Sequence, residues 1–153
     1  MAGATSVEQH YGGLDISARI PDALAHSGRD PARLTREDLT PFDEFHGGGI
    51  DSTRDLARYA AIAPGHRVLD VGAGIGGPAR TLAAEYGCEV CGVDLTPAFV
   101  AAATMLTARV GLAERCTFRH GDATALPFPD ACFDFVLSQN MLMNVADKAV
   151  FFA

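Results

Sequence analysis

Apolar positions along this chain fall into four short runs, each closed by a polar or acidic residue, and that rhythm predicts four strands ending at a common edge. Val68, Leu69 and Val71 form the first run. They lead into Gly72-Ala73-Gly74-Ile75-Gly76-Gly77, a turn whose glycines let backbone fold tightly and approach a ligand. Pro78 follows, with the fixed φ and missing N–H that suit the first turn of a helix. The second run is Cys88 to Asp94. Cys116 to His120 is the third and enters Gly121-Asp122-Ala123, while Phe133 to Leu137 is the fourth and enters Ser138-Gln139-Asn140. After the second run, Thr96 as a cap, Pro97 at the first helical position and an alanine-rich stretch to about Val110 predict a helix closed by Gly111. Strand ends that all carry polar groups predict a parallel sheet with those groups along one edge.

Upstream, Asp51 or Ser52 is expected to cap a helix through Ile62 with Leu56, Tyr59 and Ala60 on one face, and Ala63-Pro64-Gly65 turns it into the first strand. Earlier still, Ser6 to Tyr11 and Ile16 to His26 read as short helices, the second despite Pro21. Thr35 with Asp38 is a weaker relative of a capping box, before Pro41 ends the segment. Residues 1–45 therefore read as a helical arm or lid, and 46–153 as a cofactor-binding domain. The plainer alternative is that the arm only covers one face of the sheet.

The glycine turn carries the first chemistry. Gly72, Gly74 and Gly77 also satisfy a G-x-G-x-x-G dinucleotide pattern, but Asp70, two positions before the first glycine, stands where a dinucleotide fold usually has an apolar residue. A carboxylate there repels a pyrophosphate and attracts a cation. Asp94 lies about 20 residues beyond the glycines, the distance at which an acid accepts hydrogen bonds from ribose hydroxyls.

In these motifs the sequence resembles the class I S-adenosylmethionine-dependent methyltransferases, within the small-molecule group that includes ubiquinone/menaquinone, glycine/sarcosine and phosphoethanolamine methyltransferases. The likeness runs in order from about Phe42 to the last residue. It implies that Asp70, Gly72, Ala73 and Gly74 surround the methionine part of the cofactor, that Asp94 with Leu95 binds the ribose, and that Asp122 with Ala123 holds the adenine. Gln139 and Asn140 would complete the wall at the end of strand four. Phe45-His46-Gly47-Gly48-Gly49-Ile50 is similar to the loop that closes over the cofactor in phosphoethanolamine-type members, and Tyr11 falls where those members carry a tyrosine over the active site. The implied fold is α/β, a Rossmann-like three-layer αβα sandwich with strand order 3-2-1-4 behind a helical N-terminal lid. Two positions depart from the pattern: Asn144 replaces a histidine and Asn140 an aspartate, and an asparagine takes up no proton at neutral pH. Family members continue past strand four, so the chain reads as a fragment whose strand four, Phe133 to Leu137, is an apolar edge inviting self-association.

Composition narrows the partners. At 153 residues and 48% hydrophobic content the chain is of one-domain size, and its net charge of −7, with Lys148 as the only lysine, weighs against a nucleic-acid acceptor. The opening residues lack the features of a signal peptide and no apolar run approaches a membrane span, so a cytoplasmic location is expected. Cys88 and Cys91 have C-x-x-C spacing, yet three residues apart on a strand they face opposite sides, so no metal is expected; Cys116 and Cys132 read as packing residues.

A sulfonium methyl is already electrophilic, so the main task is to hold an acceptor atom in line behind it, an effect worth about 7–11 kcal/mol. Where the acceptor must lose a proton, His46 and Tyr11 are the first candidates for the base and His10 the third; His46 also reads as a cofactor or loop contact. Asn144 and Gln139 read either as acceptor-orienting groups or as helix caps, and Met141 and Met143 as pocket or core residues. The competing functions are a nicotinamide-dependent oxidoreductase and a non-catalytic, cofactor-binding assembly protein.

Overall fold

In a computed structural model, which describes residues 20, 23, 24, 26, 28–30, 33–44 and 46–152, the four strands form a parallel sheet in the order β3-β2-β1-β4. They are β1 (Arg67–Val71), β2 (Glu89–Asp94), β3 (Cys116–His120) and β4 (Phe135–Leu137). Asp70 lies level with Gly92 on one side and Leu137 on the other, and Asp94 lies level with His120, so all four strands end together. β4 is shorter than its apolar run suggests. Asp134 leaves the strand's side-chain pattern and instead accepts the Arg67 N–H on Oδ2 at 2.7 Å.

The helices are α1 (Arg36–Asp43), α2 (Gly49–Tyr59), α3 (Gly77–Tyr86), α4 (Pro97–Arg109) and the short α5 (Lys148–Phe151). Alternation of side chains along the strands divides the core by face. Val68, Val90 and Cys116 pack on one side with Ala57 of α2 and Ala79, Leu82 and Ala83 of α3. Leu69, Val71 and Val93 face the other way and are covered by Phe128, Phe133, Met141 and Phe151 of α5. A third cluster joins Leu24, Leu34 and Leu39 of the N-terminal segment to Ile75 and to Ala102 and Leu106 of α4. Cys88 belongs to the first cluster and Cys91 to the opposite face.

Several local expectations need correction. The capping box forms, with Thr35 as N-cap and Asp38 reaching back, but Pro41 sits inside α1 rather than ending it. In a helix this short, the carbonyl one turn back that the missing N–H leaves free lies close to the helix start. α2 begins at left-handed Gly48 rather than at Asp51 or Ser52, and it ends at Tyr59, short of Ile62. Its buried residues are Thr53 and Ala57, while Leu56 is 40% and Tyr59 94% exposed, so the helix is rotated away from the face its large residues suggested. Thr96 occupies the N-cap of α4, yet its hydroxyl makes no capping bond. Ser6 to Tyr11 lies outside the described residues.

Candidate functional site

Above the common strand edge lies a cavity of about 810 Å³, within the size range of small-ligand sites. Its floor begins with the glycine turn. Gly72 and Gly74 have φ of +79° and +55°, conformations that side-chain-bearing residues rarely adopt. The Gly72 and Ala73 N–H groups both donate to Val93 O, at 2.8 and 3.0 Å, which pins the turn to the end of β2. A Cβ on Gly74 would project into open space, whereas one on Gly72 would meet Met141 Cγ at 2.4 Å. Gly74 therefore leaves room on the cavity side, and Gly72 allows Met141 to close the turn from below.

Asp94 has two tasks. Oδ2 accepts from Gly74 N–H and Oδ1 from Thr96 N–H, both at 2.8 Å, so it braces the turn and the start of α4 at once. Burial raises its carboxyl above the usual range, and those backbone donors pull the other way. Each oxygen retains lone-pair capacity toward the cavity. Asp122 is exposed, with Oδ1 accepting from both the Thr124 N–H and hydroxyl; these bonds hold its carboxyl below the usual range.

Asp70 differs from both. It is 2% exposed and its Oδ2 has no hydrogen-bond partner among the described residues. Burial, then the charges of Asp94 and Glu44, push its carboxyl up to about 7. A buried oxygen left unpaired beside an open cavity is suited to a cationic or N–H-bearing ligand.

A buried polar hub stands behind this floor and comes from parts of the chain far apart in sequence. Arg80, fully buried on α3, donates to Asp43 Oδ2 at 2.8 Å, Ile75 O at 2.7 Å and Thr107 Oγ1 at 3.0 Å. Burial works against both charges, raising Asp43 and lowering Arg80, and their contact offsets part of that cost. Arg36 donates to Glu44 Oε1 at 2.7 Å and to Thr81. His46 Nε2 lies 2.8 Å from Glu44 Oε2 and 3.3 Å from Thr53 Oγ1, and Gln139 Nε2 donates to that same hydroxyl at 3.1 Å. Among the described residues, His46 Nδ1, Ser138 Oγ and Gln139 Oε1 are buried without a hydrogen-bond partner.

The cavity wall includes His46, Asp70, Gly72, Ala73, Gly74, Asp94, Leu95, Asp122, Ala123, Gln139 and Asn140, the described residues that the motifs suggested for cofactor contact. Asn140 adopts φ +52°, a left-handed conformation that asparagine tolerates. Asn144 and Met141 also line the wall, whereas Met143 is 72% exposed and does not. Tyr11, Phe45 and His10 lie outside the described residues. Sequence reasoning missed Glu44 and Thr53, which orient His46, and missed Asp43. The Glu44-x-His46 spacing before three glycines was the available signal for the first; Thr53, a β-branched polar residue in mid-helix, carried none. Among the described residues no group of three or more His, Cys, Asp or Glu is arranged to hold a metal, and no helix is long and apolar enough to cross a membrane.

Comparison with known proteins adds the context of relatives. A family model described as a methyltransferase domain matches residues 69–153. The chain is 41% identical over 111 residues to a 2-methyl-6-phytyl-1,4-hydroquinone methyltransferase of Synechocystis sp., covering 71% of this chain and 34% of that protein. It is 32% identical over 105 residues to phosphoethanolamine N-methyltransferase 1 of Arabidopsis thaliana, covering 69% of this chain and 21% of the relative. Among solved structures, Haemonchus contortus phosphoethanolamine N-methyltransferase 2 in complex with S-adenosyl-L-methionine superposes with a TM-score of 0.68 at 33% identity, covering 72% of this chain and 26% of that one. The chain thus spans about a third or less of the length of these relatives.

Proposed function

This chain belongs to the methyltransferase-domain family, and from that premise we propose that it transfers a methyl group from S-adenosyl-L-methionine to a nitrogen, oxygen or carbon nucleophile of a small molecule, releasing S-adenosyl-L-homocysteine. The observation that carries the reading is the glycine turn braced from below by Asp94, with the unpaired Asp70 oxygen beside it. These groups fit a ligand with a cationic segment at the turn and hydroxyls at the end of β2. When bound, S-adenosylmethionine supplies an electrophilic methyl on a sulfonium centre.

In this reading Asp70, Gly72, Ala73 and Gly74 take the methionine segment, Asp94 and Leu95 the ribose, and Asp122 and Ala123 the adenine, whose amino group matches the free Asp122 Oδ2. His46 takes a proton from the acceptor where one must leave, oriented for that by Glu44, while Tyr11 and Phe45 close the site from the arm. Residues 1–45 act as a lid, supported by Asp43 in the cavity wall and Glu44 against His46. Four free thiols suit a reducing compartment such as the cytoplasm. The absence of Lys and Arg from the described cavity wall, with the net charge of −7, argues against a nucleic-acid acceptor. The open edge of β4 supports self-association of this chain.

A nicotinamide-dependent oxidoreductase is the competing activity, and Asp70 opposes it, because an anionic carboxylate at the turn disfavours a pyrophosphate. Titration calorimetry with S-adenosylhomocysteine, S-adenosylmethionine and NAD separates the two. Binding of the adenosyl ligands without NAD is expected; NAD binding with no heat from either adenosyl ligand would overturn the assignment.

A further inference from the structure

The walls that follow β2 and β3 are tied together at one peptide unit. Past the register pair Asp94 and His120, the chain leaves β2 through Leu95 and Thr96 and leaves β3 through Gly121 and Asp122. These four residues line the cavity, whereas His120 is exposed and stands outside the wall. Each loop is braced from within. Thr96 N–H donates to Asp94 Oδ1 and Thr124 N–H to Asp122 Oδ1, both at 2.8 Å. Among the described residues, two hydrogen bonds then cross from one loop to the other: Gly121 N–H to Asp94 O at 3.1 Å, and the His120 imidazole to Leu95 O at 2.9 Å. A carbonyl oxygen only accepts, so His120 Nε2 carries the hydrogen in that contact.

The Leu95 carbonyl and the Thr96 N–H belong to the same peptide group. It is planar and trans, so the two bonds point in opposite directions and turn together. His120 holds the oxygen end and Asp94 Oδ1 the nitrogen end. Fixing the oxygen therefore fixes the direction from which the N–H reaches Asp94. The other carboxylate oxygen, Oδ2, accepts from Gly74 N–H in the glycine turn, so a rotation of this peptide turns the carboxylate against that turn. No backbone N–H among the described residues donates to Leu95 O, and the imidazole is what restrains it.

We propose, resting on the methyl-transfer reading for what occupies the site, that His120 is a positioning residue for the cofactor: by holding the Leu95–Thr96 peptide it aims the Asp94 carboxylate at the ribose hydroxyls. It does so without touching the ligand. Its effect is confined to ligands that present those hydroxyls to Asp94.

The test is calorimetric titration of the 153-residue chain with S-adenosylhomocysteine, adenosine and 2′,3′-dideoxyadenosine. Two variants are compared with the parent: His120→Phe, which keeps a ring and removes the donor, and His120→Gln, whose amide N–H reaches a similar position. Thermal melts establish that both are folded. His120→Phe is expected to weaken S-adenosylhomocysteine and adenosine about fivefold, the worth of one hydrogen bond, and to change dideoxyadenosine by less than about twofold. His120→Gln should bring the first two back to within about twofold of the parent. In the parent itself, the His120 imidazole resonances should shift when adenosine is added, although the ring lies outside the wall. Equal losses for adenosine and its dideoxy form, a glutamine variant that binds no better than the phenylalanine one, unchanged affinity in His120→Phe, or imidazole resonances that stay fixed would overturn the proposal. A parent chain that binds adenosine and NAD but not S-adenosylhomocysteine would count against methyl transfer alone, and the adenosine series would still decide the role of His120. A parent that takes no adenosine-bearing ligand would overturn both.

Discussion

At Asp70 a carboxylate is buried with one oxygen unpaired, and its carboxyl is pushed up to about 7. An aspartate in the unfolded chain releases its proton near pH 4, so between about 4 and 7 the folded state holds more protons than the unfolded one. Stability from this group is therefore fully present below that window and is lost as pH rises through it. A shift of that size corresponds to about 4 kcal/mol as an upper bound. Asp70→Asn should accordingly match the parent near pH 4 and exceed it in urea-melt stability at pH 8 by up to about 4 kcal/mol. The same substitution should cost affinity for S-adenosylmethionine, whose binding to the parent should strengthen as pH rises past 7 and the carboxylate becomes charged. Identical pH slopes for the two proteins would show that Asp70 does not titrate in this way. Glu89, exposed at the far end of β2, serves as the control site.

β4 is the element whose surroundings matter most for association. It pairs only with β1 over Val68–Asp70, and among the described residues its other edge carries no strand. Val136 at its centre is 65% exposed, and Phe152 beyond α5 is 71% exposed. An edge with unpaired backbone groups beside apolar side chains recruits another strand, and natural sheets block this with a charged residue. The 153-residue chain is thus expected to sediment as more than a monomer at micromolar concentration. Val136→Lys should shift it toward monomer without lowering S-adenosylhomocysteine affinity. A parent chain that is already monomeric across the concentration series would remove the edge as an association surface.

Across the whole molecule, the buried hub ties the N-terminal segment to the sheet domain. Asp43 and Arg80 are 37 residues apart, and Gly77 is where their segments meet: a Cβ there would come within 2.1 Å of the Asp43 carbonyl oxygen. Removing one member leaves a charge buried without its partner, which typically costs 3–5 kcal/mol, roughly, in stability. Asp43→Ala should therefore destabilise the chain by about that amount, measured by urea denaturation. Arg54→Ala, which removes an exposed pair with Glu85, should cost about 1 kcal/mol or less. If the two substitutions cost the same, the hub would be no more than a surface ion pair in its energetics.

What the sequence determined by itself was the sheet and its edge. Four apolar runs, each stopped by a polar residue, together with two prolines at helix starts and a glycine turn, are local signals, and the strands β1, β2 and β3 and the helices α3 and α4 stand within a residue or two of where those signals placed them. The order β3-β2-β1-β4 was legible through family resemblance rather than periodicity, because nothing local tells a strand which neighbour it pairs with. Only the tertiary structure decided the rotation of α2. Leu56 and Tyr59 define an apolar face on paper, but Thr53 is drawn inward by Gln139, 86 residues away, and Ala57 by the cluster around Val68. The same applies to the polar group behind the glycine turn: Glu44, His46, Thr53 and Gln139 are brought together by hydrogen bonds between separate segments. Their chemistry is set by which lone pairs remain unpaired after folding, and no pattern along a chain records that.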